Sequence, residues 1–477
     1  GEMLFRHLYG FLGCKQPCLR LWISSLTDEA ITEGMANLLP CDRFDNLFLA
    51  ADSRNRADWL LGVNSSYAIC KAVGFGNNSL GRVQTPVLAE ICRRYREREN
   101  HMPADSWPVF ISLCKNDRIL KMRHVDDLVV RREALALYED CKAAKSVRIT
   151  AVGKRTEEIG APALYNLAEL QKDANRYHSL TAIQVQEIAQ SLYEKKLISY
   201  PRTSSRLLPK DVYDTLPPVM EKMLSRKEFR QYADTVDLAA PRDSIEAQDT
   251  MEHHAIIITG TQPGKLDREE MLVYTLIVGR MLETFMPPCK VEYTTVDTVC
   301  AARKFRIRTY RILEKGWLGI FEREHLVAKG CMPYLVMPDL FQEEILPVAG
   351  CSLIHKKSLP VSPYTDEELV DYMDKAGLGT VSTRTNILRT LLERKYIRYS
   401  GKYVVPTPKG LFLYETVRGM KVADASLTSG WETELARIER GELSQGKFLD
   451  GVLETVNEVT GEIFRNHPVE KRPQGTT

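Results

Sequence analysis

A tyrosine, a proline and an arginine lie together near the middle of the chain, at Tyr200, Pro201 and Arg202. A residue before proline is kept out of helical geometry, so we expect an extended or turn conformation that presents the Tyr200 phenol into a cleft. A phenol oxygen can attack a phosphodiester, and a nearby guanidinium can bind the phosphate through paired donors. A structural turn with a surface arginine is the simpler interpretation of this stretch alone.

Two adjacent histidines, His253 and His254, precede an apolar run that is typical of a strand. Neighbouring residues on a strand point to opposite faces, so the pair is unsuited to holding one metal ion. A single histidine here can contact a phosphate or transfer a proton. Structural packing is the alternative explanation for both rings.

Two polar turns that lead into helices each contain an arginine. Arg82, Gln84 and Thr85 form the first turn, and Thr383 and Arg384 belong to the second. Free amides and the positive end of the dipole at a helix N-terminus favour phosphate. We therefore expect these side chains to contact a phosphate backbone, with plain helix-capping turns as the alternative.

The bulk composition excludes several classes of protein. The chain has 477 residues, a formal net charge of +2, 44% hydrophobic residues and 27% charged residues. These values fit a globular protein of several domains and exclude a strongly basic coat for nucleic acid. The sequence shows no apolar run of the roughly eighteen residues that a membrane span needs, so no membrane contact is predicted.

The eleven cysteines are scattered singly, without a CxxC pair. This spacing argues against a zinc ribbon and against a disulfide scaffold. A reduced compartment fits best, and the predicted location is cytoplasmic.

Helical and strand-like stretches alternate along the chain, which predicts nested domains. The strand-like stretches are 109–111, 128–130, 147–149 and 291–296. Capping boxes are predicted at Thr181 with Gln184 and at Thr365 with Glu368. The helix that starts near Arg384 and the basic hairpin at 397–405 resemble a winged-helix unit.

Taken in this order, the motifs resemble those of type IA DNA topoisomerases, and most closely the topoisomerase III branch. The motifs that carry the resemblance are Asp58-Trp59 with Gly62 and Asn64, Gly81–Pro86, Ser199–Thr203, His253–Ile256, Gly379–Arg384 and Trp431-Glu432. Two positions depart from the pattern of the family. Ser204 stands where many relatives have aspartate, and Tyr67 stands where arginine is frequent.

The resemblance implies an α+β multidomain protein, a toroidal core in which a strand-rich arch links two helical domains. The implied divisions are a helical base at 1–102 and 363–468, an arch at 103–163 and 290–362, a helical domain with Tyr200 at 164–289, and a disordered tail at 469–477. Tyr200, Arg202 and His253 would be catalytic, cutting single-stranded DNA through a 5′-phosphotyrosine. The implied DNA contacts are Arg82, Gln84, Thr85, Thr203, Thr383 and Arg384.

The resemblance also implies an N-terminal acidic module that binds Mg²⁺, and Gly1-Glu2 looks like the end of its motif. No Asp-x-Asp-x-Glu occurs in the sequence, so we expect the metal ligands to be absent from this chain and the chain to be inactive alone. The missing module is thus an expected partner, and the oligomeric state stays open. The alternative function is a single-stranded DNA clamp that does not cut. A relaxase would need a histidine cluster, and a tyrosine recombinase would need its tyrosine late in the chain.

Overall fold

The structure is a computed structural model. It describes residues 2–23, 28–73, 78–227, 229–237, 245–246, 253–333, 338–381 and 383–467. Gly1 and the predicted tail at 469–477 lie outside the described residues.

Helices dominate both ends and the middle of the chain, and the long strands fall between them. The helices are α1 Glu2–Phe11, α2 Asp28–Ala36, α3 Asp45–Val73, α4 Gln84–Glu99, α5 Arg131–Ala143, α6 Leu167–His178, α7 Ala182–Glu194, α8 Lys210–Asp214, α9 Leu216–Leu224, α10 Arg268–Thr284, α11 His325–Ala328, α12 Asp366–Lys375, α13 Arg384–Glu393, α14 Pro408–Val417, α15 Ala425–Glu439 and α16 Gln445–Asn466. The strands are β1 Leu19–Arg20, β2 Leu39–Pro40, β3 Asp105–Ser106, β4 Val109–Lys115, β5 Arg118–His124, β6 Ser146–Ile159, β7 Leu208–Pro209, β8 Ile245–Glu246, β9 Cys289–Cys300, β10 Arg303–Glu314, β11 Met332–Pro333, β12 Ile345–Leu353, β13 Lys356–Lys357, β14 Tyr364–Thr365, β15 Ile397–Ser400 and β16 Tyr403–Pro406.

Six of the strands form a closed antiparallel ring, which we call the arch ring. Their order is β10-β5-β4-β12-β6-β9, with β9 returning to pair with β10 and β11 added in parallel to β10. Alternation places apolar side chains inside the ring: Leu120 and Met122 of β5 are buried, while Lys121 between them is exposed. Helix α5 packs against β12 and β4.

The strand predicted at 128–130 is wrong. Val129 and Val130 are exposed, and Val130 is the residue that precedes α5. The Leu128 carbonyl accepts a hydrogen bond from the Trp107 N–H at 2.8 Å. Val129 and Val130 therefore lie on the surface, in an irregular segment that leads into α5.

Two paired segments join the nested parts of the molecule, the short β3–β13 ribbon and the end of the long β6–β9 pair. Where the chain enters and leaves the arch ring, Asp105 of β3 pairs with Lys357 of β13. Where it enters and leaves the central helices, Ile159 of β6 pairs with Cys289 of β9. At each junction the outgoing and returning segments thus lie side by side.

The base core combines residues from both ends of the chain. Helix α3 packs against α15 and α16, and α4 contacts α13 and α14. Buried residues such as Leu61, Val87 and Phe448 belong to one apolar cluster. The strands β14, β16 and β15 form a three-stranded sheet beside α12 and α13.

The central helices α6–α10, which we call the Tyr200 unit, surround a separate apolar cluster. The capping box predicted at Thr181 and Gln184 is confirmed, as is the one at Thr365 and Glu368. Asp267 with Glu270 forms a further box that starts α10. None of the helices in the described part of the chain has the length and apolar character needed to cross a membrane.

The Tyr200 unit lies against the base through α6 and α7, which contact α12 and α13. Lys172 of α6 pairs with Asp371 of α12 at 2.7 Å. Asp366, buried at the start of α12, accepts a hydrogen bond from the Ala182 N–H of α7 at 2.7 Å. A carboxylate is favourable at both helix starts because free amides lie there. The two helical parts are thus held together by polar contacts.

Candidate active site

The backbone before Tyr200 is fixed by hydrogen bonds to the segment that follows His253. The Ser199 N–H donates to the Ile257 carbonyl at 2.8 Å. The Ser199 hydroxyl donates to the Ala255 carbonyl and accepts from the Ile257 N–H, each at 3.0 Å. These contacts hold two distant segments side by side and bring Tyr200 next to His253.

Tyr200 lies between two rings. Its ring centroid is 4.5 Å from that of His253 and 5.4 Å from that of Tyr193. The Thr203 hydroxyl donates to the His253 carbonyl at 2.8 Å, which ties the loop after Tyr200 to the same segment. The Tyr200 ring therefore packs against two neighbouring rings, while the residue stays partly exposed.

His253 is a partly buried imidazole whose Nδ1 atom is buried without a hydrogen-bond partner. Burial lowers the pKa of His253, and the positive charge of Arg20 lowers it further. The ring is consequently neutral at physiological pH, with one nitrogen able to donate and one able to accept. His254 is buried apart from this site, and its Nδ1 contacts the Ala255 carbonyl at 2.7 Å.

Arg202, like His253, has a buried nitrogen without a hydrogen-bond partner, in this case its Nε atom. A buried donor without a partner costs about 1–3 kcal/mol relative to one that is satisfied. Two residues close to Tyr200, Arg202 in the sequence and His253 by ring contact, thus each carry one buried polar atom without a hydrogen-bond partner.

The first of the two polar turns has its arginine inside the protein. The Arg82 side chain is 4% exposed; it lies against Asp58 and pairs with Glu432 at 2.9 Å. The Thr85 hydroxyl accepts from the Gly81 N–H at 3.0 Å. Asp58, Arg82 and Glu432, which belong to three of the motifs that carry the family resemblance, thus form one ionic cluster around the buried Arg82 side chain.

The remaining polar residues are Gln84 in the first turn and Thr383 and Arg384 in the second. Gln84 reaches Ser79 at 3.4 Å. In the second turn, Arg384 pairs with Asp374 at 2.7 Å, while its Nε and Nη1 atoms are buried without partners. Thr383 is exposed, and its hydroxyl accepts from the Thr380 N–H at 2.8 Å.

The two turns are neighbours in space. Gly379, with a φ of +73°, opens the second turn, and a Cβ at this position would lie 3.6 Å from a methyl group of Val83. The Gln171 side chain of the Tyr200 unit donates to the Thr385 hydroxyl at 3.3 Å. Both turns of the base therefore meet near its boundary with the Tyr200 unit.

The profile of the DNA topoisomerase family matches residues 42–450 of this chain, which include Tyr200 and both turns. The chain belongs to the type IA DNA topoisomerases. This topoisomerase is accordingly an isomerase that acts on DNA.

Relatives and a solved structure show how far the similarity extends. DNA topoisomerase 3 of Bacillus licheniformis is 29% identical over 495 residues, which cover 97% of this chain and 67% of the relative. DNA topoisomerase 3 of Bacillus anthracis is 30% identical over 505 residues with the same coverage. Full-length topoisomerase I of Thermotoga maritima has a TM-score of 0.79 at 19% identity, over 96% of this chain and 76% of that chain. The predicted fold class, a toroidal α+β multidomain core, is confirmed.

Two residues of the topoisomerase site were not predicted from the sequence. Trp22 stacks on His253 with ring centroids 6.0 Å apart, and the Arg20 guanidinium lies 4.4 Å from the Trp22 ring. The only sequence signal is the two-residue spacing, which places both side chains on one face of an extended segment. Their contact with a residue more than 200 positions away depends on tertiary packing.

The residues of this topoisomerase that the structure describes do not fit a metal site. They contain no group of three or more histidine, cysteine, aspartate or glutamate side chains able to hold an ion. The Glu2 carboxylate, which starts α1, is paired with Arg6 at 2.8 Å and with Arg20. Both of its oxygens are therefore engaged, and no reaction step is assigned to a metal here.

Proposed function

We propose that this topoisomerase cuts one strand of single-stranded DNA with Tyr200 and rejoins it after another strand has passed. The phenolic oxygen attacks the phosphorus, the bond to the 3′ oxygen breaks, and the 5′ phosphate stays on the tyrosine. The phenol loses one proton and the 3′ oxygen gains one. Return of the 3′ oxygen reverses each step and releases Tyr200.

The observation that carries this proposal is the pair of unsatisfied buried atoms beside Tyr200. The Nε of Arg202 and the Nδ1 of His253 have no hydrogen-bond partner in the described structure. Arg202 would bind the scissile phosphate and offset charge in the transition state, and neutral His253 would hydrogen-bond the same group. DNA binding would thus supply the partners that both side chains lack.

We propose further that Gln84, Thr85, Thr203, Thr383 and Arg384 contact the DNA backbone near the boundary of the base and the Tyr200 unit. Thr383 is exposed, whereas Arg384 offers two buried nitrogens without partners. Unstacked strands can follow such a surface and stack on aromatic rings, so single strands should bind more tightly than duplex. Arg82 contributes only if its buried ion pairs open.

Two DNA forms at two salt concentrations test the binding part. Fluorescence anisotropy should give a higher affinity for a single-stranded oligonucleotide than for its duplex. The affinity should fall steeply with salt as counterions are released. Equal affinity for both forms with a flat salt response would overturn the single-strand preference.

Cleavage by this chain alone is expected to be undetectable. A phenol ionises little at neutral pH, and the leaving 3′ oxygen needs a proton or a stabilising charge. The side chains around Tyr200 supply a guanidinium and a neutral imidazole, and the described residues offer no group for Mg²⁺. We propose that an acidic module outside these residues provides the remaining help.

An end-labelled single-stranded oligonucleotide on a denaturing gel tests the chemistry. The 477-residue chain with Mg²⁺ should give no covalent adduct. A fusion to the N-terminal acidic module of a longer relative should give an adduct at the 5′ end, and Tyr200→Phe should abolish it. An adduct that survives Tyr200→Phe contradicts the assignment, whereas strong binding without any adduct in the fusion supports a clamp that does not cut.

A further inference from the structure

Two cysteines face each other in a small ribbon close to the active site. In the β1–β2 pair, Leu19 lies opposite Pro40, so the preceding Cys18 lies opposite Cys41. The Cys41 N–H donates to the Cys18 carbonyl at 3.3 Å, which continues the antiparallel pairing by one residue.

This geometry suits a disulfide. Directly opposed residues in an antiparallel pair have Cα atoms about 4.5–5.5 Å apart, which lies within the range of about 4.4–6.8 Å that disulfides require. Both thiols are free in the structure. The bond can therefore form without separating or sliding the two strands.

The two thiols differ in access. Cys18 is partly exposed, whereas Cys41 is 7% exposed. Burial, reinforced by the neighbouring Cys18, raises the pKa of Cys41 to about 11. Cys18 is thus the thiol that an oxidant reaches first, and Cys41 is placed to react second.

The ribbon is coupled to the active site through aromatic contacts. Two residues beyond Cys18, the Arg20 guanidinium lies 4.4 Å from the rings of both Trp22 and Phe44. Trp22 stacks on His253. Residues 18–22 carry one side of this stack and residues 41–44 carry the other, so a covalent link between them acts directly on the packing of His253.

We propose that Cys18 and Cys41 are a peroxide-sensitive thiol pair that modifies the packing of the active site. The Cys18 thiolate attacks hydrogen peroxide, forming a sulfenic acid and releasing hydroxide. The Cys41 sulfur then attacks the Cys18 sulfur, the disulfide forms, and the hydroxyl group leaves with the Cys41 proton as water. Two thiols are oxidised and one peroxide is reduced to water. The chemistry of the pair is independent of the proposed cleavage by Tyr200, and only its effect on catalysis depends on that proposal.

Peptide mapping tests the pair directly. Trypsin separates the three nearby cysteines, placing Cys14 in 7–15, Cys18 in 16–20 and Cys41 in 21–43. After peroxide treatment and thiol blocking, we expect the linked peptide 16–20/21–43, two hydrogens lighter than its parts, and its loss after dithiothreitol. Cys18→Ser should abolish it, and Cys14→Ser, the matched control, should retain it.

A second pair provides an internal comparison. Cys141 of α5 and Cys300 of β9 are both buried in one apolar cluster, so they should oxidise more slowly than Cys18 and Cys41. Faster linkage of Cys141 to Cys300, equal linkage of Cys14 to Cys18, or no linked peptide at all would overturn the proposal.

Trp22 emission provides the structural readout. It is obtained by subtracting the spectrum of Trp22→Phe from that of the unsubstituted chain. Oxidation should change this difference spectrum reversibly, and Cys18→Ser should remove the change. A disulfide that forms with no change in Trp22 emission would overturn the coupling to the active site. Neither measurement requires DNA cleavage, so a failure here is distinct from a failure of the proposed function.

Discussion

The rings of Tyr200 and His253 lie 4.5 Å apart, although the two residues belong to segments separated by more than fifty positions. This contact is the basis for proposing that His253 acts on a phosphate bound at Tyr200. It also makes the pair sensitive to anything that moves the 253–258 segment.

Replacing His253 tests its role in cleavage. In the fusion that carries the acidic module, His253→Ala should lower the rate of adduct formation by about 10²–10³. His253→Gln, which retains a donor, should lose less. Rates come from denaturing gels at early times, with circular dichroism as the check on folding. Unchanged rates in the alanine variant would remove His253 from the mechanism.

The stability of the protein should depend on pH through His253 and His254. Burial is the main cause that lowers the pKa of both, so the unfolded chain takes up protons near pH 6.5 before the folded chain does. The two buried histidines should therefore contribute fully to the free energy of unfolding above about pH 6.5. This contribution should be lost as the pH drops below that value. Urea titrations at several pH values should show this slope, and His253→Gln should reduce it. An equal slope in that variant would contradict the assignment.

Arg202 and Arg206 form a matched pair of substitutions in one loop. Arg206 donates to the Leu164 and Ala163 carbonyls at 3.1 and 3.2 Å, whereas the Arg202 Nε has no partner. Arg202→Ala should lower cleavage by about 10²–10³ with little loss of stability. Arg206→Ala should lower stability by about 1–3 kcal/mol. Gels and urea titrations measure the two effects, and exchanged outcomes would contradict the proposed roles.

Arg82 separates a buried structural role from a DNA contact. Arg82→Ala leaves the carboxylates of Asp58 and Glu432 without their central partner, and such losses cost about 3–5 kcal/mol when the pair is buried. Both acids keep some access to solvent, so we expect the lower end of this range. Chemical denaturation measures the loss. Unchanged stability with weakened single-strand binding would show instead that Arg82 faces the DNA.

The contact between Lys172 and Asp371 tests the boundary of the Tyr200 unit and the base. A double-mutant cycle with Lys172→Met and Asp371→Asn should give a coupling of about 0.5–1 kcal/mol in urea titrations, reduced by added salt. If the boundary between the Tyr200 unit and the base opens for strand passage, this boundary should open more readily in both single variants. Both variants should still bind single-stranded DNA. No measurable coupling would show that other contacts hold the boundary.

Local signals in the sequence were sufficient for the helix starts. The hydroxyl of Thr181 and the amide of Gln184 are three residues apart, so their reciprocal bonds depend on little else. The strand predicted at 128–130 failed, and α5 was missed, because apolar runs of this length do not distinguish a strand from an exposed connection before a helix.

The order of the motifs predicted Tyr200, Arg202 and His253 as a group, but it did not predict their surroundings. The stacking of Trp22 on His253 joins residues far apart in the chain and has no local signal. The same holds for Arg82, whose position in a polar turn before a helix predicted a phosphate contact. Its partners lie on α3 and α15, and only tertiary packing brings them together.

Because the segments are nested, with their junctions at Asp105–Lys357 and Ile159–Cys289, the order of the elements along the chain sets an order of events during protein synthesis. The central helices and the arch ring lie between the two halves of the base, so they leave the ribosome before α12–α16 exist. At about 5–20 residues per second, α3 and α4 wait on the order of tens of seconds for the helices that cover them. The Tyr200 unit, which is innermost in the chain order, can therefore fold first, and the base, which is outermost, can fold last. Throughout that interval, the apolar faces of α3 and α4 are the part of the nascent chain most in need of a chaperone.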